Sequence, residues 1–229
     1  MKKKNFTLVE LLVVIGIITI LAGLLLGALI RAPKKAEQAK IMAEVTTLTN
    51  AIRQFESTYG VLPFPTGEVT AEDAVGDDGN ALTATQYKNM ILMLQAPKAL
   101  INDTNSDWHK SEFSKYKRLN KRAVGFLEVQ GKAPGEFVDP NDENYNIVFD
   151  TNYDGVITLD YPIPGLKGDD SSGKWKYHVP VIVWSKGADK KCTKGENFLG
   201  AKENQDNVYS CPTIWTKGEG KLGGHQIDR

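Results

Sequence analysis

Oxygen-bearing side chains recur at alternate positions in one short stretch of the sequence. Asp150, Asn152 and Asp154 hold the first, third and fifth positions of this stretch, and Gly155 holds the sixth. Ca²⁺ prefers several oxygen ligands, and a glycine at the sixth position permits the tight turn by which a loop wraps around the ion. The pattern therefore points to calcium coordination.

Two interpretations of this stretch stay open. As a calcium loop it lacks the carboxylate that is typical of the twelfth position, because Tyr161 stands there and Asp160 comes one residue early. Asp-Gly is also favoured in tight turns, and Phe149 and Val156 flank the stretch as strand residues would. The sequence thus predicts either a Ca²⁺ site to which Asp160 contributes or a β-hairpin turn.

No pattern typical of catalysis accompanies this stretch. His109, His178 and His225 are scattered and lack the spacing of a zinc site. The sequence contains no nucleophile elbow, phosphate-binding loop or dinucleotide fingerprint. Its 28 basic and 28 acidic side chains balance, which argues against nucleic acid as a partner. We therefore expect a protein that is not an enzyme.

An apolar segment, Leu11–Ile30, stands near the beginning of the chain. Twenty helical residues match the hydrocarbon core of a bilayer, which is about 30 Å thick. Lysines at positions 2, 3 and 4 precede the segment, so we place that side in the cytoplasm and the bulk of the chain outside. A cleaved secretory signal is the alternative, but its apolar core is shorter, about 7–15 residues.

One carboxylate, that of Glu10, lies where the apolar segment begins. A charge within the bilayer costs about 3 kcal/mol unless it lies near the headgroups or finds a partner. Glu10 is therefore either a residue at the membrane interface or a charge that is paired in an assembled state.

Residues 5–14, which read NFTLVELLVV, resemble the N-terminal signature of type IV pilins and type II secretion pseudopilins. The resemblance implies that a prepilin peptidase cleaves between Asn5 and Phe6 and that the new amine of Phe6 is methylated. It also implies that Glu10 pairs with the terminal amine of a neighbouring subunit. The family normally has glycine before the scissile bond, whereas this chain has Asn5, so cleavage here is a prediction to be tested.

A second apolar pattern predicts that the helix continues beyond the membrane. Gly60 suits a helix C-terminal cap, and Pro63 lies just beyond it. We therefore expect one helix from about Phe6 to Tyr59, with a kink at Pro33. The outer half of this helix is expected to pack on a sheet, and a coiled coil between chains is the alternative. The stripe, at helical spacings of three and four, consists of Met42, Val45, Leu48, Ile52, Phe55 and Tyr59.

The rest of the chain predicts two further helices and then an antiparallel sheet. The helices are expected at Thr83–Gln95 and, more weakly, at Ser111–Arg122. The fold class is therefore α+β and, by resemblance, pilin-like. The predicted domains are a leader (1–5), a transmembrane half-helix (6–30), an amphipathic half-helix (31–60) and an outer globular domain (61–229). The β-rich segments are Phe126–Val129, Tyr145–Phe149, Val156–Leu159, Trp175–Trp184 and Asn207–Ile214.

Two later stretches resemble major pseudopilins. Residues 139–145, DPNDENY, are similar to the Asp-Pro-Trp-Gly-Asn-Pro-Tyr stretch of that family, from which Asn141, Asp142 and Glu143 depart. Residues 184–189, WSKGAD, are similar to its closing loop. Major pseudopilins bind Ca²⁺ in that loop, so the resemblance implies Asp189 and Asp206 as further carboxylate ligands.

Cys192 and Cys211 lie in or beside the same loop. Outside the cytoplasm an oxidised pair is reasonable and would stabilise the fold by about 3 kcal/mol. Two independent thiols are the alternative.

These features favour a structural assembly subunit, a pseudopilin of a type II secretion-like or type IV pilus-like filament. Its expected partners are copies of itself or related pseudopilins, a prepilin peptidase, an inner-membrane assembly platform and the lipid bilayer. The expected location is the inner membrane, with a single span, a cytoplasmic N-terminus and a periplasmic C-terminal domain. A permanently anchored binding module that does not polymerise is the alternative, and a surface hydrolase is a third, weaker one.

Overall fold

The computed structural model describes residues 7–65, 82–128, 131–159, 175–191 and 207–210, with the backbone alone for residues 24–32. Its first element is one 52-residue helix, α1 (Leu8–Tyr59), which contains Pro33. This confirms the single long helix. The chain forms two compact units, and the boundary between them lies within α1, between Lys40 and Ile41.

In the second unit, the predicted apolar stripe lies in the core. The first and last residues of the stripe, Met42 and Tyr59, are only half-buried, whereas its four other residues are fully buried. Ile41 and Ala51 of the same helix are also buried. The helix ends as predicted, because Gly60 adopts a positive φ of 69° and its N–H donates to the Glu56 carbonyl at 2.7 Å. The fully buried stripe residues are Val45, Leu48, Ile52 and Phe55.

The second helix, α2 (Ala84–Gln95), begins one residue after its predicted start. Thr83 caps it and Gln86 completes a capping box, in which each side chain bonds the other's backbone N–H. The helix ends where Ala96 adopts a left-handed conformation, φ 41°. Its buried residues are Tyr87, Met90, Ile91, Leu92, Met93 and Leu94.

A run of short helical turns follows α2. Helix α3 (Lys98–Asn102), which the sequence did not predict, leads to a 3₁₀ turn at Asp107–His109. The predicted helix Ser111–Arg122 is only partly correct. It begins as a second 3₁₀ turn, Ser111–Phe113, and its α-helical part, α4, is confined to Ser114–Leu119.

Among the described residues, five strands form two antiparallel sheets. They are β1 (Asn146–Phe149), β2 (Ile157–Leu159), β3 (Trp175–Tyr177), β4 (Val181–Ser185) and β5 (Val208–Tyr209). One sheet has the order β1-β4-β5 and the other pairs β2 with β3. The α+β class with antiparallel pairing is therefore confirmed.

Two strand predictions are wrong. Trp175–Trp184 is not one strand, because Pro180 cannot donate to a ladder and Val179 instead turns back to bond the Tyr177 carbonyl at 2.9 Å. Residues 126–128 form no strand, although the sequence predicted one at Phe126–Val129. The N–H groups of Phe126 and Leu127 donate to the Leu94 carbonyl, 2.7 and 3.1 Å away, and so satisfy the open end of α2.

The three-stranded sheet is buried on both faces. On one face, Ile147 and Phe149 of β1 share a core with the buried stripe of α1. On the other, Val148 and the β4 residues Ile182 and Trp184 share a second core with β2 and β3. Side chains of a strand alternate between faces, so burial of both faces explains why β1 and β4 read as continuous apolar runs.

Candidate functional site

The first turn of α1 is closed by Thr7 and Glu10. The Thr7 backbone N–H and its hydroxyl both donate to Glu10 Oε2, at 2.9 and 2.8 Å, and the Glu10 N–H donates to Thr7 Oγ1 at 3.3 Å. This is a capping box. From the sequence, Glu10 was predicted to be either a residue at the membrane interface or a charge that is paired in an assembled state. The Thr-x-x-Glu spacing carried the signal for this further role in capping.

Large apolar side chains of the first unit project outward along α1. Leu8 is 86% exposed, and ten further side chains between Val9 and Leu21 are also exposed. A contiguous apolar surface of this kind marks a site of contact with protein or membrane. In the part of the chain that the structure describes, no helix meets the length and apolarity that a membrane crossing requires.

In the second unit, the two later stretches of the family resemblance contact each other. Asp139 is buried, and its Oδ2 accepts a hydrogen bond from the Ser185 hydroxyl at 2.7 Å. Its Oδ1 accepts from the N–H groups of Asn141 and Glu143. The Asn141 amide in turn donates to the Gly187 carbonyl at 3.2 Å. A carboxylate satisfied in this way anchors the start of the 186–191 segment to residues 139–143.

Asp189, the carboxylate predicted for the closing loop, is exposed, and its Oδ1 accepts from the Lys191 N–H at 2.9 Å. Among the described residues, no group of three or more histidine, cysteine, aspartate or glutamate side chains is placed to hold a metal ion. The remaining predicted residues lie outside the described part of the chain: Asn5, Phe6, Asp160, Asp206, Cys192 and Cys211.

The stretch with alternating oxygens is not a hairpin turn. Strand β1 pairs with β4, while β2 pairs with β3, so the stretch connects strands of different sheets. Seven residues, 150–156, thus stand opposite only three, 178–180. The hairpin interpretation is therefore wrong. We term residues 150–156 the β1–β2 loop, because they connect β1 to β2 and are longer than the connection from β3 to β4 that they face.

Asp150 opens this loop and is only 4% exposed. Its N–H donates to the Pro180 carbonyl at 3.0 Å, and its Oδ2 accepts from the Gly155 N–H at 2.8 Å. Its other carboxylate oxygen, Oδ1, is buried and has no hydrogen-bond partner. A buried oxygen of this kind carries an uncompensated desolvation penalty of about 1–3 kcal/mol.

Two buried phenols adjoin the core of the second unit. Tyr145 donates to Glu44 Oε2 at 2.5 Å, and Tyr87 donates to the Phe137 carbonyl at 2.6 Å. Burial raises the pKa of both tyrosines well above the usual range, and the Glu44 carboxylate raises that of Tyr145 further. Both therefore act as neutral donors, and neither is poised for proton transfer near neutral pH.

A surface cavity lies between α2 and the 3₁₀ turns. Lys88 and Lys110 line it, and both pair with Asp107, at 3.4 and 2.5 Å. The hydrogen bond from Lys110 lowers the pKa of Asp107, and the same contact raises that of Lys110. Both lysines thus pair with one exposed carboxylate at the rim of the cavity.

Comparison with known proteins bears on the N-terminal segment. Residues 2–26 match the family model described as the prokaryotic N-terminal methylation motif. No curated protein and no solved structure matches the chain. The matched motif belongs to a structural family and not to an enzyme family, and it covers Thr7, Glu10 and most of the exposed apolar surface of α1. The chain therefore carries the prepilin-type N-terminal motif that is characteristic of type IV pilins and pseudopilins.

Proposed function

We propose that this protein is a structural subunit of a type II secretion-like or type IV pilus-like filament, of the pseudopilin kind, and that it contributes to protein transport. The observation that carries the proposal is the exposed apolar surface of α1, headed by one carboxylate, within the matched methylation motif. Such a surface is costly in water, at about 25 cal/mol per Å² of apolar area. It therefore requires a lipid or protein environment.

The two environments correspond to two stages. Before assembly, the Leu11–Ile30 segment would hold the subunit in the inner membrane, with the lysines at positions 2, 3 and 4 on the cytoplasmic side. After a prepilin peptidase removes the leader at Asn5-Phe6, an inner-membrane assembly platform would bring the same helices together. The apolar surface that faced lipid would then face neighbouring copies or related pseudopilins.

Glu10 would act in both stages. In the single chain its carboxylate accepts two hydrogen bonds from Thr7, which holds the first helical turn closed. In the filament, the methylated amine of a neighbour's Phe6 would offer it a positive charge. A charged donor in a low-dielectric core binds a carboxylate more strongly than a neutral hydroxyl does, so assembly would outcompete the capping box.

The proposal is tested by cross-linking the wild-type protein in the membranes of cells that produce it. We expect a ladder of oligomers in cells with the prepilin peptidase and monomer alone in cells that lack it. Monomer in both strains would contradict the filament proposal and support a permanently anchored binding module. A peptidase-independent ladder would contradict the requirement for processing.

A further inference from the structure

We propose that the β1–β2 loop (residues 150–156) binds Ca²⁺, with the buried Asp150 carboxylate as its anchoring ligand. The proposal rests on the loop's own geometry and not on the filament function. It concerns a place distinct from the closing loop, to which the family resemblance assigns calcium through Asp189 and Asp206.

The first argument is the unpartnered oxygen of Asp150. This carboxylate is directed into the loop, because its Oδ2 accepts from the N–H of Gly155 at the loop's far end. Its Oδ1 is buried and lacks a hydrogen-bond partner. Buried carboxylate oxygens are normally satisfied, and a bound cation would supply the partner that this one lacks.

The second argument is the position of the other oxygens. Asn152 Oδ1 accepts from the Asp154 N–H at 3.0 Å, and Asp154 Oδ1 accepts from the Val156 N–H at 2.8 Å. These turns place oxygens from alternate residues along one loop, and the Asn152 amide donates to Asp154 Oδ2 at 3.0 Å. The side chains of Asn152 and Asp154 are exposed, so they can reorient toward a cation without disturbing the core.

The chemistry of the set favours Ca²⁺ over other common cations. All the candidate ligands are oxygens, and two carboxylates, those of Asp150 and Asp154, balance a double positive charge. Ca²⁺ accepts irregular coordination by carboxylate, amide and backbone carbonyl oxygens, whereas Mg²⁺ requires a nearly ideal octahedron and retains water. A loop with few carboxylates is expected to bind at about 10⁻⁴–10⁻³ M, as extracellular modules do.

Binding would also act on the chain that leaves α1. The Tyr153 hydroxyl accepts from the Leu62 N–H at 2.9 Å, and Phe149 packs edge-on against Phe64 with ring centroids 4.8 Å apart. Tyr153 belongs to the β1–β2 loop and Leu62 follows the cap at Gly60. Fixing the loop around an ion would therefore slow opening of the segment that follows the long helix.

The test uses the full chain in detergent micelles after chelator treatment, titrated with CaCl₂ and, separately, with MgCl₂. We expect Ca²⁺ to raise the thermal midpoint by about 5 °C at saturation and to slow hydrogen exchange at Leu62, with a smaller response to Mg²⁺. Asp150→Asn and Asp154→Asn should each weaken the Ca²⁺ response at least tenfold. Asp103→Asn, an exposed aspartate beyond α3, is the matched control and should respond as the wild type does.

Asp150→Asn also separates a ligand from a structural carboxylate. An asparagine keeps an oxygen that can accept from Gly155 but removes the buried charge, so in chelator this variant should be at least as stable as the wild type. Wild-type protein that does not respond to Ca²⁺, or two loop variants that retain the wild-type response, would overturn the proposal. Asp154 is exposed, so its variant remains informative even if Asp150→Asn fails to fold.

Discussion

Glu10→Gln is expected to reduce filament assembly at least tenfold while leaving the folded chain intact. Glutamine completes a capping box with threonine as glutamate does, so the bonds between Thr7 and residue 10 persist. Only the negative charge is lost. If a neighbour's amine pairs with this carboxylate in an apolar core, losing the charge leaves that amine buried and unpaired. The free-energy cost of an unpaired buried charge is several times the roughly 1.4 kcal/mol that corresponds to a tenfold change in an equilibrium constant. The measurement is the yield of cross-linked oligomers in native membranes.

Thr7→Ala is the matched control for this experiment. It removes the N-cap and costs the helix about 1 kcal/mol, but it keeps the charge of Glu10. We expect Thr7→Ala to assemble within about twofold of the wild type, because helix packing in the oligomer offsets a frayed first turn. If Thr7→Ala is as damaging as Glu10→Gln, capping and not charge pairing explains the role of Glu10.

Phe55→Ala is expected to destabilise the second unit by about 3–5 kcal/mol. The side chain is fully buried in the core that α1 shares with the sheet. Its ring lies 4.8 Å from that of Tyr59 and 5.5 Å from that of Phe126. Truncation therefore removes apolar burial and two aromatic contacts and leaves a cavity. The measurement is urea denaturation of the full chain in micelles.

Asn50→Ala on the exposed side of the same helix is the control for Phe55→Ala. Asn50 is exposed, so its replacement should change the unfolding free energy by no more than about 0.5 kcal/mol. A Phe55→Ala chain as stable as Asn50→Ala would show that the core described around α1 does not form in solution.

The sequence predicts α1 and α2 well because the signals for these two helices are local. The stripe from Val45 to Phe55 follows helical periodicity, and Gly60 supplies the conformation that ends the helix. The capping box of α2 at Thr83 and Gln86 is equally local, and the helix begins one residue after its predicted start.

The sequence predicts the sheet less well because strand pairing depends on distant residues. Residues 126–128 have strand-like composition but satisfy the end of α2, and no local pattern reveals that partner. The β1–β2 loop resembles a hairpin turn in isolation. Only the register of β1 on β4 shows that it bulges between two sheets.

Residues of the candidate sites were likewise predictable from sequence where the signal is local and not where the contact joins distant residues. Glu10 was identified from sequence because a charge in an apolar segment stands out, and its bond to Thr7 was open to prediction from the Thr-x-x-Glu spacing. The burial of Asp139 against Ser185 joins residues 46 positions apart, which sequence spacing could not show. The unpartnered oxygen of Asp150 likewise depends on how the loop closes on Gly155.

The mass of the mature N-terminal peptide from native membranes tests the filament-subunit proposal most directly. Cleavage between Asn5 and Phe6 with a methylated Phe6 amine is the predicted result, and it would show that asparagine is tolerated before the scissile bond. An intact leader with its lysines at positions 2, 3 and 4 would contradict the proposal, because the amine that Glu10 needs would then not exist.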